Sequence, residues 1–569
     1  MPTAKKDALI AEIVDNCARN GRPGAVPVTA APAPYRSLFS ACPVGAAILS
    51  NRCVIAPKAM IGGSFIPNGK TRRFYRERAN AGLLTTGPLS TGKESDPLSV
   101  ARWRPLNEKL HAKGARILLQ LLPDGTAQHA LHLTLAGAAA GFDGVCFDIR
   151  TDDANAVPLV REIRARLGKG FLILCRVSLS SAVAESGLSA KNSQEARGLA
   201  ERLERMTELA NTGCDAFEVG LGCEQTPWLL APASQLPEGC FAEAARALKA
   251  HFRVLGIGAA VIAAGRLAAP GLAEALLRDG YCDLVSLDGA GISDPEWIRK
   301  SADGRSDEIQ LTSLPAFSLP QEKERIAVIG AGCRGLSYAV QAADAGHAVD
   351  LFEQNYCPGG DLALDPSPSA EEKKKLLAYL LSELKKRPQI RLRTGTKADA
   401  ELLKKGAYDR IVFACRPEAL LRPSVPNWGT LPITTAEELE KAQNGKWKRK
   451  HVVVLGSNAL ACDIAWMLLN ECLVRRCTIL TEKQALMSGE PDEDRAWFLH
   501  HFAQRGGRVM TGQRASRIFR HTIFSEDPNG GAESHVHCDQ IVLTEKAPAQ
   551  MRLYEEAVRE KLAPQIQIL

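Results

Sequence analysis

Behind the apolar run Ile326-Ala327-Val328-Ile329 the chain sets three glycines, Gly330-x-Gly332-x-x-Gly335, and then continues as an amphipathic stretch. Few folds use a strand, such a turn and a helix in that order. The first glycine permits a tight turn and the second lets backbone approach a pyrophosphate. The third lets the helix pack closely on the strand, and the helix N-terminus turns unpaired N–H groups toward the phosphates. The next apolar run, Ala348–Phe352, ends at Glu353, a carboxylate suited to accept hydrogen bonds from ribose hydroxyls. Gly359-Gly360 follows and suits a second close approach of backbone to phosphate. Together these residues predict a dinucleotide site on a Rossmann-like unit.

A second such unit runs from His451–Leu455 into Gly456-Ser457-Asn458-Ala459-Leu460-Ala461. Here Asn458 stands at the second glycine position and adds a side chain where a pyrophosphate must approach. The following strand, Thr478–Thr481, leads to Glu482, which can hold an unphosphorylated ribose and repel a 2′-phosphate. The unit is either a working NADH site or a packed domain that has lost its ligand.

Upstream, eight short apolar runs alternate with helical patterns over some 270 residues. They are Cys53–Ala56, Gly82–Thr85, Ile117–Leu121, Gly144–Ile149, Phe171–Val177, Ala216–Val219, Val254–Ile257 and Leu284–Leu287. Eight strands with interleaved helices predict a (β/α)8 TIM barrel. Before it, Lys5–Arg19 reads as one amphipathic helix, followed by a Pro/Ala-rich linker through Pro34.

Composition removes other classes. The 71 basic residues exceed the 64 acidic ones by only +7 and are dispersed, so no nucleic-acid partner is expected. No apolar run approaches the ~18 residues of a membrane helix, and no signal-peptide pattern opens the chain, so a cytoplasmic location is expected. The 16 cysteines include no C-x-x-C pair. They predict small buried hydrophobes in a reducing compartment, with neither a metal site nor an iron–sulfur cluster.

In order along the chain, several short motifs resemble the NADH:flavin oxidoreductases related to 2,4-dienoyl-CoA reductase and trimethylamine dehydrogenase. In these an Old Yellow Enzyme-type FMN barrel is joined to a FAD/NAD(P)-type domain. The motifs include Asn51-Arg52 through Ala56-Pro57, Phe74-Tyr75 with Arg78, Gln120, Gly141-Phe142-Asp143-Gly144, Arg176, Gly265-Arg266 and Asp294-Pro295, followed by the glycine turn and Glu353. The resemblance implies that Ala56 and Pro57 lie near a flavin, that Gln120 and Arg176 reach its polar edge, and that Gly265 and Arg266 form part of a phosphate loop. By residue type alone, Gln120 and Arg176 would serve an interior hydrogen-bonding network equally well. The resemblance also implies FAD at Gly330, Gly332, Gly335, Glu353, Gly359 and Gly360, and NADH at Gly456 and Glu482.

The departures are as informative. The substrate-binding histidines after Gly144 are missing: Asp148 takes the first position and the rest is deleted. Pro123-Asp124-Gly125-Thr126 replaces His-Ala-Gly-Arg, and Asp288-Gly289-Ala290 replaces the late phosphate-binding arginine. Ala414-Cys415-Arg416 replaces Ala-Thr-Gly, Glu545-Lys546 replaces a glycine turn, and the family's cluster cysteines are absent.

The expected fold is an α/β chain, a TIM barrel followed by a Rossmann-like two-unit FAD/NAD(P) domain. The expected boundaries are 1–34 for the extension, 35–304 for the barrel, 305–324 for a linker, 325–440 with 531–569 for the FAD-type unit and 441–530 for the NAD(P)-type unit. The expected function is electron transfer from NADH through FAD to a barrel FMN and an activated alkene or related small molecule. The alternative is an inert subunit paired with a homologous flavoprotein, and an oligomer is expected either way.

Overall fold

The computed structural model describes residues 34–569 apart from 58–60, 93–94, 150–154, 180–192, 223–225, 288, 311–313, 316, 361–369, 416–430, 436–438, 440–446, 471–473, 529, 531–532 and 545–551. The helix expected over Lys5–Arg19, together with Asp288, Arg416 and Glu545-Lys546, lies outside the described residues. The chain divides into two compact units, one ending at Ser313 and the other beginning at Leu314.

The first unit is a closed parallel barrel of eight strands: β1 (Cys53–Ile55), β2 (Leu83–Thr85), β3 (Ile117–Leu122), β4 (Gly144–Asp148), β5 (Leu172–Ser178), β6 (Ala216–Gly220), β7 (Ala260–Ala263) and β8 (Leu284–Ser286). The helices around it include α1 (Gly69–Glu77), α2 (Arg104–His111), α3 (Ala127–Ala139), α4 (Ala156–Leu167), α5 (Ser193–Thr212), α6 (Ala242–Leu255), α7 (Pro270–Arg278) and α8 (Trp297–Ala302). Strand alternation sends Val54, Leu83, Leu118, Cys146, Leu174, Ala216, Ile262 and Leu284 into one interior cluster. Cys42, Val44 and Leu49 of a preceding hairpin join that cluster.

The seventh strand differs from expectation. Val254-Leu255 closes helix α6, and Gly256 caps it in the left-handed conformation (φ 69°, ψ 24°). Both apolar side chains are largely exposed, at 50% and 41%. The strand is the quieter run Ala260–Ala263, whose four residues are all buried.

The N-terminal rim of the barrel carries a repeated device. Asp143, Asp215 and Asp283 each stand just before an even-numbered strand, and each carboxylate accepts a backbone N–H from the strand before it. The donors are Ile117 (2.8 Å), Ile173 (2.8 Å) and Val261 (2.9 Å). Each carboxylate also pairs with a cation, Asp143 with Arg116, Asp215 with Arg164 and Asp283 with Lys249, and Asp143 lies 2.9 Å from His111 Nε2 as well. Asn51 does the same for the first pair, accepting from Gly82 N at 2.8 Å. Phe142-Asp143-Gly144, Cys214-Asp215-Ala216 and Cys282-Asp283-Leu284 carry this signature in the sequence.

The second unit holds two parallel sheets. The first contains β9 (Arg325–Ile329), β10 (Ala348–Phe352), β11 (Ile390–Arg393) and β12 (Arg410–Phe413), with β9 between β10 and β12. Helices α9 (Cys333–Asp344) and α10 (Ala370–Lys385) belong to it. The second contains β13 (Ile433–Thr435), β14 (His451–Leu455), β15 (Arg476–Leu480), β16 (Arg508–Met510) and β17 (Gln540–Leu543), with α11 (Ala459–Asn470) after β14. A three-stranded antiparallel sheet, Arg514–Phe519, Thr522–Glu526 and Ser534–His537, completes the unit.

Two segments sit differently from the expected division. β17 pairs with both β13 and β14, so residues 540–543 and 433–435 build the second sheet rather than the first. The reason is packing: Ile541 and Leu543 share a core with Val453 and Leu480. The chain returns to the first sheet only at β18 (Gln565–Ile568), parallel to β12.

Among the described cysteines, all but Cys333, Cys357 and Cys415 are buried. No described helix is long and apolar enough to cross a membrane.

Candidate functional site

In a TIM barrel the chemistry gathers at the C-terminal strand ends. Continuing the alternation past the apolar cluster brings Thr85, Gln120, Asp148, Arg176, Glu218 and Ser286 to the inner face there. Asp148, Arg176 and Glu218 lie in one register row across β4, β5 and β6. Glu218 Oε1 accepts from Arg176 Nε at 3.1 Å and lies 3.0 Å from Arg176 Nη2. Asp148 Oδ2 stands farther off, 3.8 Å from Arg176 Nη1. With its oxygen turned to Arg176, the Gln120 amide accepts from Nη1 at 2.9 Å and donates to Thr86 O and Pro57 O at 2.9 and 3.3 Å. Gln120, Arg176 and Glu218 are at most 5% exposed.

Glu218 Oε2, Thr85 Oγ1 and Ser286 Oγ are buried without a hydrogen-bond partner. Leaving a buried polar atom unsatisfied costs about 1–3 kcal/mol. Three in one layer suit an interior built to receive a polar guest.

The remaining expected barrel residues sit at strand ends. Ala56 is fully buried just after β1, and Pro57 offers its carbonyl to Gln120. After β7, Gly265 and Arg266 both take positive φ, 94° and 57°. Gly265 O accepts from Gly239 N at 2.9 Å, and a Cβ on Gly265 would meet Phe241 at 2.8 Å. Arg266 Nη1 donates to Ala233 O at 3.2 Å.

In the second unit the three glycines of the first turn divide their labour. Gly330 has φ +100°, and a Cβ on it would stand 2.9 Å from Cys415 N. A Cβ on Gly335 would lie 1.9 Å from Gly330 O, which is helix pressed on strand. At Gly332 a Cβ would meet nothing within 4 Å: the backbone faces open space. Glu353, 7% exposed, accepts from Ala331 N through Oε2 and from Asn355 N through Oε1, both at 2.9 Å. Gly359 bridges to Gly332 and donates from its N–H to Ala331 O at 2.8 Å. Gly360 follows at φ +52°. Burial pushes the Cys333 thiol above its ordinary range, so the turn presents a neutral thiol to an anion. The open backbone at Gly332 and the anchored Glu353 carboxylate fit an FAD pyrophosphate and ribose.

The second turn is less receptive. Gly456 takes φ +152°. The Asn458 side chain accepts from Ala461 N at 2.9 Å and so occupies an N–H of the kind a pyrophosphate would use. Glu482 is exposed just beyond β15. Replacing Asn458 by glycine should free that N–H for the pyrophosphate and raise NAD+ affinity about tenfold, roughly 1.4 kcal/mol. Titration of the oxidised protein with NAD+ checks this; unchanged or weaker binding would contradict it.

Glu218 was not anticipated, although a charge inside the buried strand Ala-Phe-Glu-Val-Gly was a usable signal. Thr85 and Ser286 carried no signal without the barrel geometry.

Residues 321–547 match the family model described as pyridine nucleotide-disulphide oxidoreductase. The chain is 26% identical to bilirubin reductase of Mediterraneibacter gnavus over 318 residues, covering 50% of this chain and about half (47%) of that protein. It is 23% identical to cinnamate reductase of Clostridium sporogenes over 556 residues, 76% of this chain and 81% of that one. In fold it is similar to 2-naphthoyl-CoA reductase, with TM-score 0.74 at 18% identity over 94% of this chain and 96% of that one. These likenesses bear out the resemblance to barrel-plus-FAD/NAD(P) flavin oxidoreductases read from the sequence.

Proposed function

We propose that this chain is a flavin-dependent oxidoreductase that carries electrons from NADH, through FAD at Gly330, Gly332, Gly335, Glu353, Gly359 and Gly360, toward FMN in the barrel and an unsaturated small molecule. The open backbone at Gly332 beside the anchored Glu353 is the observation that carries this reading. The relatives named for reducing cinnamate and bilirubin support the substrate class.

When bound, the flavins supply hydride and electron transfer; the protein supplies position and charge. Gln120 and Arg176 would meet FMN's polar edge, with Ala56 and Pro57 close by, and Gly265-Arg266 its phosphate. Asp148, in place of a histidine, is a poor donor to a substrate oxygen at neutral pH, so substrate activation by hydrogen bonding is weak there. Glu482 repels a 2′-phosphate and favours NADH.

Anaerobic stopped-flow reduction of the purified protein tests the reading. A yellow protein bleached by NADH at least tenfold faster than by NADPH is expected. A colourless protein, or one that neither nucleotide reduces, would favour the inert partner subunit, which the Asn458 cap also suits.

A further inference from the structure

We propose that Glu218 sets how much of the Arg176 charge reaches a ligand at the barrel mouth, and so sets the reduction potential of the FMN placed there; this rests on the barrel-FMN reading above. Arg176 is the one cation of the row Asp148–Arg176–Glu218, and its two neighbours are both acids. Glu218 is in direct contact with it and nearly fully buried, so solvent does little to screen the pair. An arginine beside a flavin's polar edge favours the reduced form, on which negative charge collects. With Glu218 against the guanidinium, that preference shrinks and the bound flavin becomes a stronger reductant.

The geometry of the pair argues against a purely structural role. Buried ion pairs are seldom net stabilising, and a pair kept for strength matches both carboxylate oxygens to the guanidinium fork. Here Oε1 takes both contacts, and Oε2 stays buried without a donor. The carboxylate balances charge without using its full bonding capacity. The arrangement is chemically coherent with Asp148. A mouth where Asp148 activates the substrate weakly needs a more strongly reducing donor, which Glu218 against Arg176 supplies.

The test uses the full-length chain carrying Gly332→Val, so that FAD does not contribute, loaded with FMN and followed by spectroelectrochemical titration. Glu218→Gln should make reduced FMN bind about tenfold more tightly relative to oxidised FMN, a positive shift of about 30 mV for a two-electron couple. Glu218→Asp, which keeps the charge, should restore the original potential, a rescue that loss of packing would not show. Asp148→Asn should shift the potential in the same direction by less, and it serves if Glu218→Gln does not fold. FMN bound with an unchanged potential in Glu218→Gln would overturn the role of Glu218 and leave the barrel-FMN reading standing. No FMN bound by any of the proteins would overturn the barrel-FMN reading, and this proposal with it.

Discussion

A Gly332→Val protein should purify folded and nearly free of FAD. The backbone at Gly332 has an ordinary φ of −75°, and a Cβ there touches nothing within 4 Å, so the fold has room for the branched side chain. The same space is where a pyrophosphate must come against the turn. FAD content, read as flavin released on denaturation, should fall at least tenfold, with an unchanged circular dichroism spectrum. Gly335→Ala is the opposing control. Its Cβ would stand 1.9 Å from the Gly330 carbonyl oxygen, a backbone atom that cannot swing aside. That variant should lose about 3 kcal/mol or more and melt early. Equal FAD in Gly332→Val and the parent protein would show that this turn is not the cofactor site.

The second large effect is expected at the opposite rim of the barrel. Asp215→Ala removes the acceptor for Ile173 N and strands Arg164, whose guanidinium also donates to the carbonyls of Gly168, Phe171 and Gly213. Both members of the pair are only 15% exposed, so the loss should approach that of a buried ion pair, about 3 kcal/mol. Asp143→Ala should cost less, about 1–2 kcal/mol, because its partners Arg116 and His111 are substantially exposed. Hydrogen exchange of the β5 amides reports the difference locally, and suits a two-unit chain that need not unfold in one step. Protection of the Ile173 amide unaltered by Asp215→Ala would refute the assignment.

What the sequence made legible follows from how many roles a residue can play. Glycine at Gly330, Gly332 and Gly335 has few, and the three differ: Gly330 and Gly335 leave no room for a Cβ, while Gly332 faces open space. The barrel was readable because eight runs in order leave few other closures. Its seventh strand was misplaced because Val254 and Leu255 are more hydrophobic than Ala260–Ala263, and helix ends expose such residues freely. The run Ile541-Val542-Leu543 is apolar enough to be a buried strand, and it is one. Which sheet it joins is a tertiary matter, decided by Val453 and Leu480 far away in the chain. Gln120 and Arg176 were recognisable by type, and they meet in an interior hydrogen-bonding network, one of the two roles their residue types allowed. Glu218 is marked in the sequence as a charge in a buried run, but its partner Arg176 became visible only through the register of β6 with β5.

The aspartates that stitch neighbouring strands together all stand at the N-terminal rim, below the layers that carry Gln120, Arg176 and Glu218. Foundation and workshop are therefore separate storeys of one building. Histidines can vanish from the upper floor, and a loop there can shorten to a few residues, without disturbing what keeps the walls upright. A barrel made this way is a forgiving chassis for new chemistry, since an altered mouth is tried out on a base that does not take part in the trial.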